Sequence, residues 1–192
     1  VFGEPFITPN INEHSMFLAK AAAFRSADLS RQVGAVIVCS DGEVISSGCN
    51  EVPFPGGGIF SEEKSSTENR GSADNRDYTV EFDTNSSEIN KALSEIISSF
   101  KDANLFKDSN KNSDELASDI LHGDLKDKFI DARFRNLIEF GRVVHAEMHA
   151  ITGAARLGRS TKSSSMYCTT FPCHICARHI IAAGISEVYF IE

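Results

Sequence analysis

Cysteine is scarce in this sequence: there are five in 192 residues, unevenly spaced. That is too few for the disulfide framework that staples small secreted folds, so a reducing, cytoplasmic setting is expected. Positive charge is also short, with 19 Lys and Arg against 27 Asp and Glu and a formal net charge of −8. Long nucleic acids are held by extended positive surface, so no such polymer is expected as a partner of the whole chain. A single nucleotide needs only a few local cations. No apolar run is long enough to span a bilayer and no basic-then-apolar leader opens the sequence, so no membrane partner is expected. Neither a G-x-x-x-x-G-K-[ST] phosphate loop nor an internal repeat is present.

What is present suffices for one sizeable core, and a single domain over residues 1–192 is the expectation. The chain starts at Val1 and stops at "SEVYFIE", inside a strand-like run, so both ends are expected to be cuts in a longer polypeptide. Charge is unevenly placed. Residues 61–131 hold 17 acids against 9 bases, whereas residues 132–192 hold 7 bases against 4 acids.

Residues 13–29 place Met16, Phe17, Ala19, Ala23, Phe24 and Ala27 at helical intervals, with Asn12 as the N-cap. "QVGAVIVCSDGEVISSGCN" then reads as a hairpin about a Ser-Asp-Gly turn, and "EVPFPGGG" (51–58) as a loop. From Ile59 to Asn85 the chain is polar and reads as a long mobile or partner-ordered loop. Helical patterning returns at 86–106 and 125–140. Helix (145–157), strand (165–170), helix (173–183) and strand (186–191) follow. Strand, helix, strand at this spacing implies a parallel pair with a right-handed crossover, hence an α/β fold with a mixed sheet covered by helices.

"TTFPCHICARH" (169–179) sets Cys173 and Cys176 three apart in a first helical turn, where the dipole favours thiolates and Pro172 suits helix entry. Upstream, "RVVHAEMHA" (142–150) offers His145. One imidazole and two thiolates make the three-ligand set of a catalytic zinc with one position left open. Glu147 can take a proton from water and return it to a leaving group. Residues two apart on a helix point about 200° from each other, so His145 and Glu147 can share a site only if His145 sits at the very start of its helix. His145 and His149 share a face at i and i+4, so a His-His site stays open on spacing alone. H-x-E followed by P-C-x-x-C is, however, the signature of zinc nucleobase deaminases, and both halves occur in order. Cys39, Cys49 and Cys168 lie in or beside strand-like runs and read as inert core residues. His174 and His179 read, with His149, as packing or solvent-facing histidines.

"LAKAAAFRSADLSRQVGAVIV", "ISSGCNEVP", "HAEMHAI" and "MYCTTFPCHICARHIIAAGISEVYFIE" resemble the deoxycytidylate deaminase branch of the cytidine deaminase superfamily. The acidic insertion and "FRNLIEFGRVVHAEMHAITGAARLG" resemble the bacterial anti-phage dCTP/dCMP deaminases, in which a kinase-like domain precedes the deaminase domain. The resemblance implies a three-layer α/β/α cytidine deaminase-like fold, with residues 59–140 as a helical insertion before the His-x-Glu helix. It implies Zn²⁺ on His145, Cys173 and Cys176, with Glu147 as proton shuttle. The substrate would be a deoxycytidine nucleotide, dCMP or dCTP, converted to dUMP or dUTP plus ammonia. Asn50 matches the asparagine that contacts the nucleotide, although Cys49 stands where the family has an aromatic residue. The Ala146 N–H is expected to face the base carbonyl and the Phe171 ring to pack near the base. A regulatory deoxynucleoside triphosphate (dTTP or dCTP) near "PFPGGG", a homo-oligomer and a role in anti-phage nucleotide depletion are further implications. The competing readings are a deaminase of tRNA adenosine or a free base, and a structural zinc module, against which Glu147 speaks.

Overall fold

The computed structural model describes residues 6–60, 74–81, 83–103, 105, 111–137 and 140–191. They fall into two compact units, one of residues 1–81 with 143–192 and one of residues 82–142. The polar loop expected over 59–85 has its stretch 61–73 outside the described residues.

In the first unit, α1 (Ile11–Ala23) leads to β1 (Gly34–Val38) and β2 (Val44–Cys49). A one-turn helix, α2 (Asp77–Val80), lies before the second unit, and α5 (Ala146–Arg156), β3 (Ser165–Cys168), α6 (His174–Ala182) and β4 (Glu187–Phe190) follow it. The sheet order is β2-β1-β3-β4, with β1 antiparallel to both neighbours and β3 parallel to β4. This is the mixed sheet that the strand-helix-strand pattern implies.

β1 is the pivot of the layers. All five of its residues are buried, as its unbroken apolar run demands of a strand covered on both faces. Val36 and Val38 point with Tyr167 toward α1, packing on Ala19. Ala35 and Ile37 point with Met166 and Cys168 toward Ala146 and Ala150 of α5 and Cys176 and Ile180 of α6. Two glycines permit the approach of the helices. A Cβ on Gly34 would stand 1.9 Å from the Ala19 carbonyl oxygen, and one on Gly48 would stand 2.3 Å from that of Ala146.

α1 begins two residues earlier than periodicity alone suggests. Asn10 is the N-cap and closes a capping box with Glu13, which frees Asn12 to accept a hydrogen bond from the Tyr167 hydroxyl at 2.7 Å. The helix also stops at Ala23 rather than Leu29. Beyond it the Ala27 N–H donates to Glu51 Oε2, and Asp28 Oδ1 accepts from Ser30 and Arg31 N–H, bonds a continued helix could not make.

In the second unit, α3 (Thr84–Asp102) matches the helix expected at 86–106. The helix expected at 125–140 is absent among the described residues of that stretch. Two short 3₁₀ turns, Lys126–Phe129 and Arg133–Asn136, occupy that stretch, broken by an extended backbone at Ala132 (ψ 127°). The partner of α3 is instead α4 (Ser113–Leu121), capped by Asn112 in a capping box with Glu115. Ile97, Ala117 and Ile120 form its small core. Among the described residues no helix is long and apolar enough to cross a membrane.

Candidate metal and catalytic site

Both halves of the motif arrive at helix starts. His145 is the N-cap of α5 with extended backbone (φ −63°, ψ 151°), which meets the condition set by the 200° separation and lets it share a site with Glu147. Cys173 is the N-cap of α6 (φ −67°, ψ 166°), and its sulfur accepts from the Cys176 N–H at 3.4 Å.

The imidazole and the sulfur pair converge. His145 Nδ1 lies 3.4 Å from Cys173 Sγ and 3.5 Å from Cys176 Sγ, and the three donor atoms all lie within 4.8 Å of one another. Tetrahedral zinc with its usual bond lengths sets a nitrogen and a sulfur about 3.6 Å apart. The donor set and its spacing therefore fit zinc. No other His, Cys, Asp or Glu group of this kind exists among the described residues. His149 takes no part. Its ring is buried, with Nδ1 3.1 Å from the backbone N–H of Cys49 on the edge strand β2, so the His-His alternative falls away.

Glu147 is 3% exposed and stands in the first turn of α5. Burial pushes the Cys176 thiol up, and the Glu147 charge adds to this. A divalent cation reverses that balance, because a coordinated thiol gives up its hydrogen. Ala146 opens the helix fully buried, at a position whose N–H has no acceptor within the helix.

Asn50 sits beside the site through the backbone. Glu51 and Val144 exchange hydrogen bonds at 3.2 and 3.0 Å, which fixes Asn50 and His145 on either side of that bridge. The Asn50 side chain accepts from the Val33 N–H at 2.7 Å and donates to the Arg31 carbonyl at 2.8 Å, and among the described residues its second amide hydrogen meets no acceptor. Phe171 lies on the loop between β3 and α6, 65% exposed and edge-on to Phe190 at 4.9 Å.

Two residues escaped the sequence reading. The carboxylate of Glu51, 1% exposed, accepts from the N–H groups of Ala27 and Val52 and so ties the α1–β1 loop to the bridge beside His145. A lone acid next to two prolines gives no sign of that. Cys168 is buried as expected, but it lies in the cluster that holds Ala146 and Cys176, a place its sequence neighbours do not announce.

The family model for the cytidine and deoxycytidylate deaminase zinc-binding region matches residues 9–192. The chain belongs to this family. ComE operon protein 2 of Bacillus subtilis (strain 168) is 43% identical over 51 residues, 27% of each chain. The deoxycytidylate deaminase of Homo sapiens is 47% identical over 50 residues, 26% of this chain and 27% of that protein. The aligned stretch thus spans about a quarter of the length of these relatives. A crystal structure of dCMP deaminase from the cyanophage S-TIM5, in complex with dCMP and dUMP, superposes with a TM-score of 0.48 at 20% identity, covering 96% of this chain and 82% of that one.

Proposed function

We propose that the protein is a zinc-dependent hydrolase that deaminates deoxycytidine nucleotides, dCMP or dCTP, to the deoxyuridine nucleotide and ammonia. One observation carries the reading: a three-donor site fit for zinc has a buried carboxylate beside it. A structural zinc site has four protein donors and no use for such an acid.

Zinc bound by His145, Cys173 and Cys176 supplies a Lewis acid that makes water acidic enough to react near neutral pH. Glu147 takes a proton from the water that attacks C4 of cytosine and delivers it to ring N3; it then takes the proton of the hydroxyl now on C4 and passes it to the amine, so that the C4–N bond breaks, the C4 carbonyl forms and ammonia departs. The Ala146 N–H donates to the base carbonyl. The remaining amide hydrogen of Asn50 reaches the nucleotide, and the Phe171 ring packs by the base.

We place the enzyme in the cytoplasm as a homo-oligomer and its activity in the depletion of deoxycytidine nucleotides during phage infection, on the resemblance described above. A regulatory dTTP or dCTP is assigned to the glycine-rich loop. A cavity of about 270 Å³ lies there between Phe54, Gly57 and Ile59 and the α5 residues His149 and Arg156, and it supports this reading. Ammonia release from dCMP, dCTP, cytidine and adenosine tests the substrate class. Turnover is expected with a deoxycytidine nucleotide and is expected to respond to added dTTP or dCTP. Preference for cytidine or adenosine would overturn the assignment.

A further inference from the structure

Glu51 is a buried acid that the deamination chemistry does not use. Its side chain is 1% exposed, and its two oxygens serve different segments: Oε1 accepts from the Val52 N–H at 2.8 Å and Oε2 from the Ala27 N–H at 2.8 Å. A buried carboxylate is costly unless hydrogen-bonded, and its ionised form is acceptor-only, which suits two N–H donors. An amide in its place would turn its own NH₂ toward one of them. Ala27 lies on the loop between α1 and β1, and the far end of that loop fixes Asn50. Asn50 Oδ1 accepts from the Val33 N–H, its Nδ2 donates to the Arg31 carbonyl, and its backbone N–H donates to the Val33 carbonyl at 3.2 Å. Between these points the loop is braced from within. Asp28 Oδ1 accepts from the N–H groups of Ser30 and Arg31, and the Gln32 side chain donates to the Asp28 carbonyl at 2.8 Å. Residues 27–33 thus form one braced turn, held at its start by Glu51 and at its end by Asn50.

We propose that Glu51 is a positioning residue for nucleotide binding that acts through Asn50. Its carboxylate pins the loop at Ala27, the braced loop holds the Asn50 amide in one orientation, and the second amide hydrogen is aimed before the nucleotide arrives. Glu51 itself touches no substrate. The proposal rests on the deaminase reading and on its assignment of Asn50 to the substrate. A contact ordered in advance lowers the cost of binding, so the effect falls on substrate affinity and not on the chemical step.

The test compares the zinc-loaded full chain with its Glu51→Gln, Asn50→Ala and double variants, following ammonia from dCMP and dCTP. Glu51→Gln is expected to keep the zinc content and kcat and to raise KM roughly ten-fold, the size of one lost hydrogen bond to a charged group. Asn50→Ala is expected to raise KM by itself. The double variant should show no more than the larger single effect, because both residues act through one contact. In Glu51→Gln, amide hydrogen exchange at Ala27 should quicken, while that at Val144, bonded to the Glu51 backbone carbonyl, should stay slow. An unchanged KM in Glu51→Gln overturns the proposal, as do effects that multiply in the double variant, a loss confined to kcat, or exchange at Ala27 at the wild-type rate. Should the glutamine variant not fold, Glu51→Asp, whose shorter stem cannot reach both donors, takes its place under the same criteria. If the wild type releases no ammonia from either nucleotide, the deaminase reading fails. Calorimetric titration with dCMP then decides the positioning role: weaker binding by Glu51→Gln than by wild type supports it, and equal binding or none overturns it.

Discussion

Gly48 has no side chain at the point where α5 meets β2. A methyl group there would stand 2.3 Å from the Ala146 carbonyl oxygen and 2.5 Å from the Ala150 nitrogen. Gly48→Ala must push away the helix start that carries His145 and Glu147. Overpacking of this kind costs about 1–3 kcal/mol. The variant should melt at lower temperature by calorimetry and bind zinc more weakly in a competition assay. Cys49, next in the chain, tests burial rather than shape. Burial pushes its thiol from 9.0 up to about 11, with Arg25 opposing. Its folded-state pKa is raised, so its contribution to stability is intact below pH 9 and is lost as the pH rises through about 11. Denaturant titrations should therefore show a smaller loss between pH 9 and 11 for Cys49→Ala than for the wild type. The two positions also differ in legibility. That Cys49 is buried could be read from its place at the end of a strand-like run, but nothing in "SSGCN" announces that a helix N-terminus rests on Gly48.

At the scale of elements, the candidate His145, Cys173 and Cys176 cluster was legible because its spacing carries chemistry. A helix that must aim both His145 and Glu147 at one ion has to begin at His145, and α5 does. β1 and β2 were legible from an apolar run and a Ser-Asp-Gly turn, and Gly42 takes φ 89° in that turn. The insertion was read less well, because the apolar spacing of 125–140 outweighed a stronger local signal. Asn112 and Glu115 form a capping box, and α4 follows it. Arg135, which that reading placed inside a helix, donates to the carbonyls of Ile120 and Leu121 and closes the end of α4. Replacing Asn112 with alanine removes an N-cap worth about 1 kcal/mol. Hydrogen exchange should quicken in α4 while α5 and α6 keep their protection; equal change in all three helices would show that the cap does not act locally.

For the molecule as a whole, the sheet brings two helix starts, separated by β3 in the chain, to one point. His145 enters beside the Glu51–Val144 bridge, and Cys173 and Cys176 enter after β3, on the face that α5 and α6 share. Sequence spacing could pair the two halves of the motif but could not show that their donor atoms lie within 4.8 Å. Within the family now established, the central claim is that this cluster and Glu147 act as one hydrolytic site. The most direct measurement follows ammonia from dCMP and dCTP with zinc-loaded wild type and Glu147→Ala, with zinc counted in both. The account predicts one zinc per chain in each protein and a rate for the variant lower by roughly 10²–10⁴-fold. Equal rates, or loss of zinc on changing Glu147 alone, would contradict it.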